Sequence, residues 1–328
     1  MTRAQRLADA AMEGLVAPSF TRVGFEARRR MFHWRGVDSY RLAGRVIVVT
    51  GATSGLGLAA ATQLALDGAT VVVVGRNPDK TTRVVQQLRD ATANPNVSAA
   101  IANMGDDDSV RRAGERILAD HDRLDVLIHN AGSLSHRRTV APDGTEATIA
   151  SQVVGPFLLT CLLLDRLRES APARVITMSS GGMYTASLTV EHLQMNEASY
   201  NGSKQYALAK RAQVTLAEMW AQRVDRQHVV FHSMHPGWAD TPGVREALPA
   251  FRTVVGPLLR DPAAGADTMV WLAADDDEPL ASTGGFWLDR QVRPIHRLRS
   301  TRHSDTPERR ARLWQWVLER SGCNPPEP

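Results

Sequence analysis

Tyr206 and Lys210 stand four residues apart in the segment YALAK. That spacing puts a phenol and an ammonium on one face of a helix, where the cation favours the phenolate and lowers the tyrosine's pKa. A phenol tuned in this way can hand a proton to a developing alkoxide near neutral pH. The composition singles the lysine out: Lys and Arg total 39, yet Lys80, Lys204 and Lys210 are the only lysines. A compact ammonium can also hold a ribose hydroxyl while lying against the tyrosine, which a broad guanidinium fork does less well. Tyr200 and Lys204, in YNGSK, have the same spacing and compete for the role. Asn201-Gly202 places the helix start after Tyr200, and Val214, Leu216 and Trp220 keep helical register with Lys210. In the Tyr200 register Lys210 would itself fall on an apolar position, so Tyr206 is preferred.

Upstream, Thr50 to Gly57 reads TGATSGLG. Gly51, Gly55 and Gly57 follow an apolar strand and open a helix, so the backbone can turn tightly and bring the helix N-terminus against a pyrophosphate. The next strand ends in Gly75-Arg76, where an acidic residue would hold a ribose 2′-hydroxyl. Arg76 suits a 2′-phosphate instead, which favours NADP over NAD. Asn130-Ala131-Gly132 ends a later strand with residues small enough for a ribose to lie on the backbone. His129, His232 and His235 have no Cys or carboxylate at metal-ligand spacing and read as packing or loop residues, so no metal site is expected. Ser179-Ser180 lacks the GxSxG elbow of a hydrolase.

The elements that must position these groups alternate. Apolar strands at 45–50, 71–74, 97–102, 126–128, 175–178 and 229–234 are separated by helices at 56–66, 81–88, 109–118, 145–167 and 203–224, with a last short strand at 285–288 and a helix at 307–319 capped by Thr306. Strands apolar on both faces and separated by helices imply a parallel sheet covered on both sides. The expected fold is α/β: a single doubly wound Rossmann domain over residues 41–328 with a mostly parallel seven-stranded sheet, preceded by an N-terminal extension of residues 1–40. In that extension Leu7, Ala11 and Leu15 mark one side of an amphipathic helix, or an arm packed on the core. The stretch 236–262, with Pro242, Pro249 and Pro257, reads as a long irregular connection placed where a substrate lid would sit.

At 328 residues and 43% hydrophobic, the chain can bury a full core. Cys161 and Cys323 make no disulfide framework, which points to a reducing, cytoplasmic location. The apolar run Phe157–Leu164 is too short to span a bilayer, and no signal peptide is legible. Residues 1–45 carry net +5 and residues 286–328 net +4, so the middle of a chain whose total is +4 carries −5. The basic tails are suited to peripheral contact with anionic lipid or a partner. No nucleic-acid motif accompanies them.

Taken in order, TGATSGLG, the NAG at 130–132, Ser179-Ser180, YALAK and Pro236-Gly237 resemble the short-chain dehydrogenase/reductase family from about Leu42 to Leu288. SSGGM at 179–183, SMHPGWADTPGV at 233–244, TRVGFEARRR and FWLDR are most similar to that family's dehydrogenase/reductase member twelve group, relatives of the retinol dehydrogenases. The resemblance implies that Ser180 polarises a substrate carbonyl, Tyr206 donates the proton, and Lys210 lowers the tyrosine's pKa and holds the nicotinamide ribose. It implies NADP(H) contacts at Gly51, Ser54, Gly55, Leu56, Gly57, Arg76, Asn103, Met104, Asn130, Ala131, Gly132, Tyr206, Lys210, Pro236, Gly237, Trp238 and Thr241. Two positions depart from the family pattern: Gln152 replaces a catalytic Asn, and Asn103 replaces an adenine-contacting Asp. The implied activity is NADPH-dependent transfer of hydride to or from a carbonyl or alcohol of a bulky apolar molecule, of the retinoid, steroid or fatty aldehyde class. Trp238, Met183, Leu188 and Phe251 are expected near the mouth, and homo-oligomers through the helices near Phe157 and Tyr206. The alternative is a non-catalytic NADP(H)-binding redox sensor. An epimerase would show TGxxGxxG and a larger C-terminal domain.

Overall fold

The computed structural model describes residues 2–325. Its strands are β1 (Val46–Thr50), β2 (Thr70–Gly75), β3 (Val97–Ile101), β4 (Val126–His129), β5 (Ala173–Met178), β6 (Val229–Met234), β7 (Phe286–Leu288) and β8 (Gln291–Val292). They form one sheet in the order β3-β2-β1-β4-β5-β6-β7-β8, with only β7 and β8 antiparallel. The eighth strand exceeds the expected seven because a two-residue reversal after Leu288 has no periodicity to betray it. Strand order reverses between β1 and β4, which opens a crevice at the strands' C-terminal ends.

The helices are α1 (Arg3–Gly14), α2 (Val16–Phe20), α3 (Arg22–Met31), α4 (Gly55–Leu66), α5 (Pro78–Thr92), α6 (Asp107–Asp120), α7 (Ala147–Ile149), α8 (Gly155–Glu169), α9 (Gly202–Ala221), α10 (Pro242–Ala247), α11 (Pro249–Val255), α12 (Pro262–Ala274), α13 (Glu278–Ala281), α14 (Arg299–Ser304) and α15 (Pro307–Ser321). Local chemistry sets several starts. Asn77 accepts from Lys80 N at 2.8 Å with proline at the first turn of α5, and Thr306 caps α15 in the same way. The connection over 236–262 is less irregular than its prolines suggest, because Pro242, Pro249 and Pro262 open α10, α11 and α12, and Pro257 lies in a short 3-10 turn.

A π-helical turn, Ala150–Val154, joins α7 to α8, so 147–169 is one apolar rod long enough to cross a membrane. It is mostly buried and serves as a core helix: Phe157, Leu158, Leu163 and Leu167 pack with α9 over one face of the sheet, while α4 and α12 cover the other. The aromatic rings of Phe157, Trp220 and Trp314 meet at 5.0 Å between centroids and bring α15 down on α8 and α9. The expectation of unpaired cysteines is overturned: Cys161 on α8 and Cys323 after α15 form a disulfide that closes a separation of 162 residues.

The arm α1–α3 is held by charge. Arg28 is fully buried and reaches Asp9 at 2.7 Å, Glu13 at 3.0 Å and Asp289 at 2.8 Å, while Arg293 reaches Asp9 at 2.6 Å. Ions buried this deeply persist only when paired. Consequently the polar side of α1 faces the protein, and the stripe of Leu7, Ala11 and Leu15 faces outward, with Leu7 64% and Leu15 61% exposed.

Candidate active site

A cleft of about 520 Å³ opens at the C-terminal ends of the central strands. Fourteen of the sequence-predicted residues line it: Gly51, Ser54, Gly55, Leu56, Asn130, Ala131, Gly132, Ser180, Tyr206, Lys210, Pro236, Gly237, Trp238 and Thr241. Gly57, Arg76, Asn103 and Met104 do not. Gly57 lies beneath the turn, Met104 is buried, and Arg76 is exposed at the end of β2.

The glycine turn is held tightly against the residues that follow β4 and against the first turn of α4. Gly51 has φ +67°, a left-handed conformation open to glycine at no steric cost, and a Cβ there would lie 2.7 Å from Ala131 Cα. At Gly57 a Cβ would sit 2.6 Å from the Gly51 carbonyl oxygen. Thr50 stitches β1 to β4: its hydroxyl accepts from Asn130 N and Ala131 N, each at 3.0 Å. Asn130 Nδ2 returns a bond to the Thr50 carbonyl at 2.9 Å. The N-terminus of α4 is thereby aimed into the cleft, and the residues present fit a dinucleotide pyrophosphate.

On the opposite wall α9 begins at Gly202, with Asn201 Oδ1 accepting from Lys204 N at 2.9 Å. Tyr200 therefore lies before the helix, where its hydroxyl donates to Glu146 Oε1 at 3.1 Å, and Lys204 points to solvent. Tyr206 and Lys210 face the cleft, with Lys210 Nζ 5.2 Å from the centre of the tyrosine ring. The ammonium donates to the Met178 carbonyl and to Gln213 Oε1, both at 2.9 Å, and has no carboxylate partner among the described residues. Burial brings Lys210 down to about 7. The expected lowering of the tyrosine's pKa is reversed: burial pushes Tyr206 up to about 12, with the Ser180 hydroxyl pulling the other way. Ser179 turns away and donates to the Lys210 carbonyl at 3.1 Å, leaving Ser180 as the hydroxyl beside the tyrosine.

The π-turn carries Gln152 to the floor of the site, where Nε2 donates to the Ser133 carbonyl at 2.8 Å and Oε1 has no protein partner. A Cβ at Gly132 would lie 2.8 Å from that oxygen and 3.4 Å from Lys210 Nζ. The three histidines are separate: His129 pairs with Thr160 at 2.8 Å, His232 with the Pro279 carbonyl at 2.8 Å, and His235 stacks on Phe286.

Trp238 and Phe251 do stand at the mouth, with ring centres 5.1 Å apart. Met183 and Leu188, expected there too, are buried instead, at 0% and 2% exposure, because the turn after Ser180 folds back on the core. In their place Leu134, Val244 and Leu248 complete an apolar wall. The last two were legible only as apolar positions in a proline-punctuated stretch whose direction local sequence does not set.

Comparison with known proteins matches this geometry. The family model for short chain dehydrogenases covers residues 45–250. Human dehydrogenase/reductase SDR family member 12 is 37% identical over 88% of this chain and 90% of its own. Human retinol dehydrogenase 11 is 31% identical over 78% of this chain and 83% of its own. A Shigella flexneri short chain dehydrogenase solved with NADP superposes with a TM-score of 0.61 at 26% identity, covering 76% of this chain and 98% of that one. A glycine turn at the sheet's switch point, facing a serine, a tyrosine and a lysine across one cleft, thus comes with sequence kinship along most of the chain, and the chain belongs to the short-chain dehydrogenase/reductase family of oxidoreductases, which act on CH–OH and C=O groups.

Proposed function

We propose that the protein is an NADP(H)-dependent oxidoreductase that interconverts the carbonyl and alcohol of a bulky apolar substrate of the retinoid, steroid or fatty aldehyde class. The observation that carries this reading is the convergence of Ser180, Tyr206 and Lys210 on one apolar-walled cleft beside the glycine turn. The cofactor, when bound, supplies or accepts the hydride. Gly51, Ser54, Gly55 and Leu56 would hold its pyrophosphate, Asn130 to Gly132 its ribose, and Arg76 its 2′-phosphate. Asn103 and Met104 would border its adenine, and Pro236 to Trp238 with Thr241 its nicotinamide end. Ser180 and Tyr206 are hydrogen-bond donors aimed where negative charge grows on a substrate oxygen. Tyr206, protonated at neutral pH, gives up its proton as that charge develops. Lys210 stabilises the phenolate left behind and would hold the nicotinamide ribose. Leu134, Val244, Leu248, Phe251 and Trp238 favour an apolar body over a charged one.

Tyr206→Phe tests this by removing only the transferable proton. NADPH binding and melting should hold, while turnover on an aldehyde and ketone panel, read at the NADPH absorbance, falls by about 10² to 10⁴. Tyr200→Phe should stay within a few fold of the parent. A parent that binds NADPH tightly but turns over nothing would make the protein a redox sensor.

Membrane contact is proposed for one tail only. Most of the C-terminal arginines are engaged in the fold, Arg290 with Asp267, Arg293 with Asp9 and Arg310 with Asp305, while Arg299 and Arg302 are exposed. Arg3, Arg6 and Arg22 are exposed beside the outward apolar stripe of the arm, a pattern suited to an anionic bilayer surface.

A further inference from the structure

Residues 18–21 of the arm lie directly behind the two loops that close the cleft. The Trp238 N–H donates to the Phe20 carbonyl at 2.7 Å, and the same carbonyl accepts from Arg260 Nε at 3.1 Å. The Phe20 ring, 3% exposed, stands edge-on to His235 at 4.5 Å and to Trp238 at 5.8 Å between centroids. Across it lies Gly181, the residue after Ser180, where a Cβ would come within 2.7 Å of the ring. A Cβ at Gly237 would lie 2.6 Å from the Phe20 carbonyl oxygen. Both loops therefore meet the arm with nothing between. Phe20 does not itself line the cleft, so any effect it has runs through these neighbours.

The arm is gripped at this point by its backbone. Arg260 Nη2 donates to the Ser19 carbonyl at 3.0 Å and Nε to the Thr21 carbonyl at 3.3 Å, and Arg28 Nη1 donates to the Ser19 carbonyl at 3.1 Å. Both guanidiniums are anchored on Asp289, at 2.8 Å from Arg28 and 2.9 Å from Arg260. Apolar residues of similar volume would fill this space without the desolvation cost of the ions. What the ions add is a fixed place for three successive carbonyl groups.

We propose that Phe20 is a positioning residue of the active site. Its carbonyl fixes the Gly237–Trp238 peptide against which the nicotinamide end would rest, and its ring fixes the turn that aims the Ser180 hydroxyl. The idea rests on the oxidoreductase reading above. A displacement of about 1 Å at such a site is worth on the order of a hundredfold in rate.

Phe20→Ala, Phe20→Leu and Gly181→Ala are compared with the parent in thermal unfolding, in the fluorescence of bound NADPH, and in kcat and KM on a carbonyl that the parent reduces. Phe20→Ala should melt cooperatively, lose about tenfold or more in kcat with KM changed less than about threefold, and shift the bound NADPH emission; Phe20→Leu should restore most of the kcat. A cooperative melt with kcat and emission both unchanged overturns the proposal. Where Phe20→Ala does not fold, Gly181→Ala decides, because it presses on the ring from the other side with the arm intact. A kcat loss partly restored in the Gly181→Ala, Phe20→Leu double variant supports the coupling, and a kcat within about twofold of the parent overturns it. A parent with no turnover refutes the oxidoreductase reading instead, and the NADPH emission still judges Phe20 on its own.

Discussion

Replacing Lys210 by methionine removes a buried ammonium that donates to one carbonyl and one amide oxygen, and the effect on stability can be worked out in advance. The unfolded chain holds the lysine's proton up to pH near 10.5, but in the fold burial brings its pKa down to about 7. Between those values the unfolded state binds more protons, so the parent's stability rises with pH. Below pH 7 both states are charged and the full penalty is present. At about 1.36 kcal/mol per unit, linkage gives the parent about 3 kcal/mol between pH 7.0 and 9.5 in the absence of cofactor. Lys210→Met lacks this titration. Its lost hydrogen bonds, about 1 kcal/mol each, are offsets independent of pH. Tyr206, raised to about 12, begins to matter only above pH 10. Urea unfolding of both proteins at the two pH values should show the variant's relative stability falling by about 3 kcal/mol as pH rises. A difference constant to within about 0.5 kcal/mol would mean that the ammonium is solvated. The same variant should be inactive, so that the charge destabilises the fold in return for chemistry.

Three further outcomes are expected. Arg76→Asp should shift preference toward NADH by on the order of 2 to 4 kcal/mol in the ratio of kcat/KM values; equal loss with both cofactors would assign Arg76 to the fold. Cys161→Ser should lower the melting temperature under oxidising conditions and match the reduced parent, loop closure over 162 residues setting an upper bound of about 5 kcal/mol. Leu7→Asp with Leu15→Asp should abolish co-sedimentation with phosphatidylserine vesicles while NADPH affinity holds, and unchanged sedimentation would remove the arm from any membrane role.

The doubly wound order was legible because each strand is apolar on both faces and each helix carries its own punctuation, as at Asn77-Pro78 and Thr306-Pro307. The cleft wall made by Gly51, Asn130 and Ser180 was legible for a related reason: in a parallel sheet the residue that follows a strand must face the crevice, whereas Lys210 was legible from its helical spacing to Tyr206. What escaped local reading depends on partners distant in sequence. Leu7, Ala11 and Leu15 mark one side of a helix without saying which way it faces, and only Arg28 and Arg293, reaching Asp9, set that direction. Cys161 gives no sign of Cys323 until α15 folds across α8. Met183 sits three residues past Ser180, yet a short helical turn sends it into the core.

The C-terminal helix changes what kind of unit this chain is. Phe157 on α8 and Trp220 on α9 meet at the seam between the two helices, with Trp220 stacked on Phe231 of β6, and a second subunit could have covered the outer side of that seam. Here Trp314, Leu313 and Val317 of α15 cover it from within the same polypeptide. Self-association through α8 and α9 would first require peeling that helix away, along with the disulfide that ties its end. A protease cut in the turn before Pro307 would leave α15 tethered by that disulfide, and only cutting together with reduction would release the helix and bare the aromatic seam to another copy of the chain.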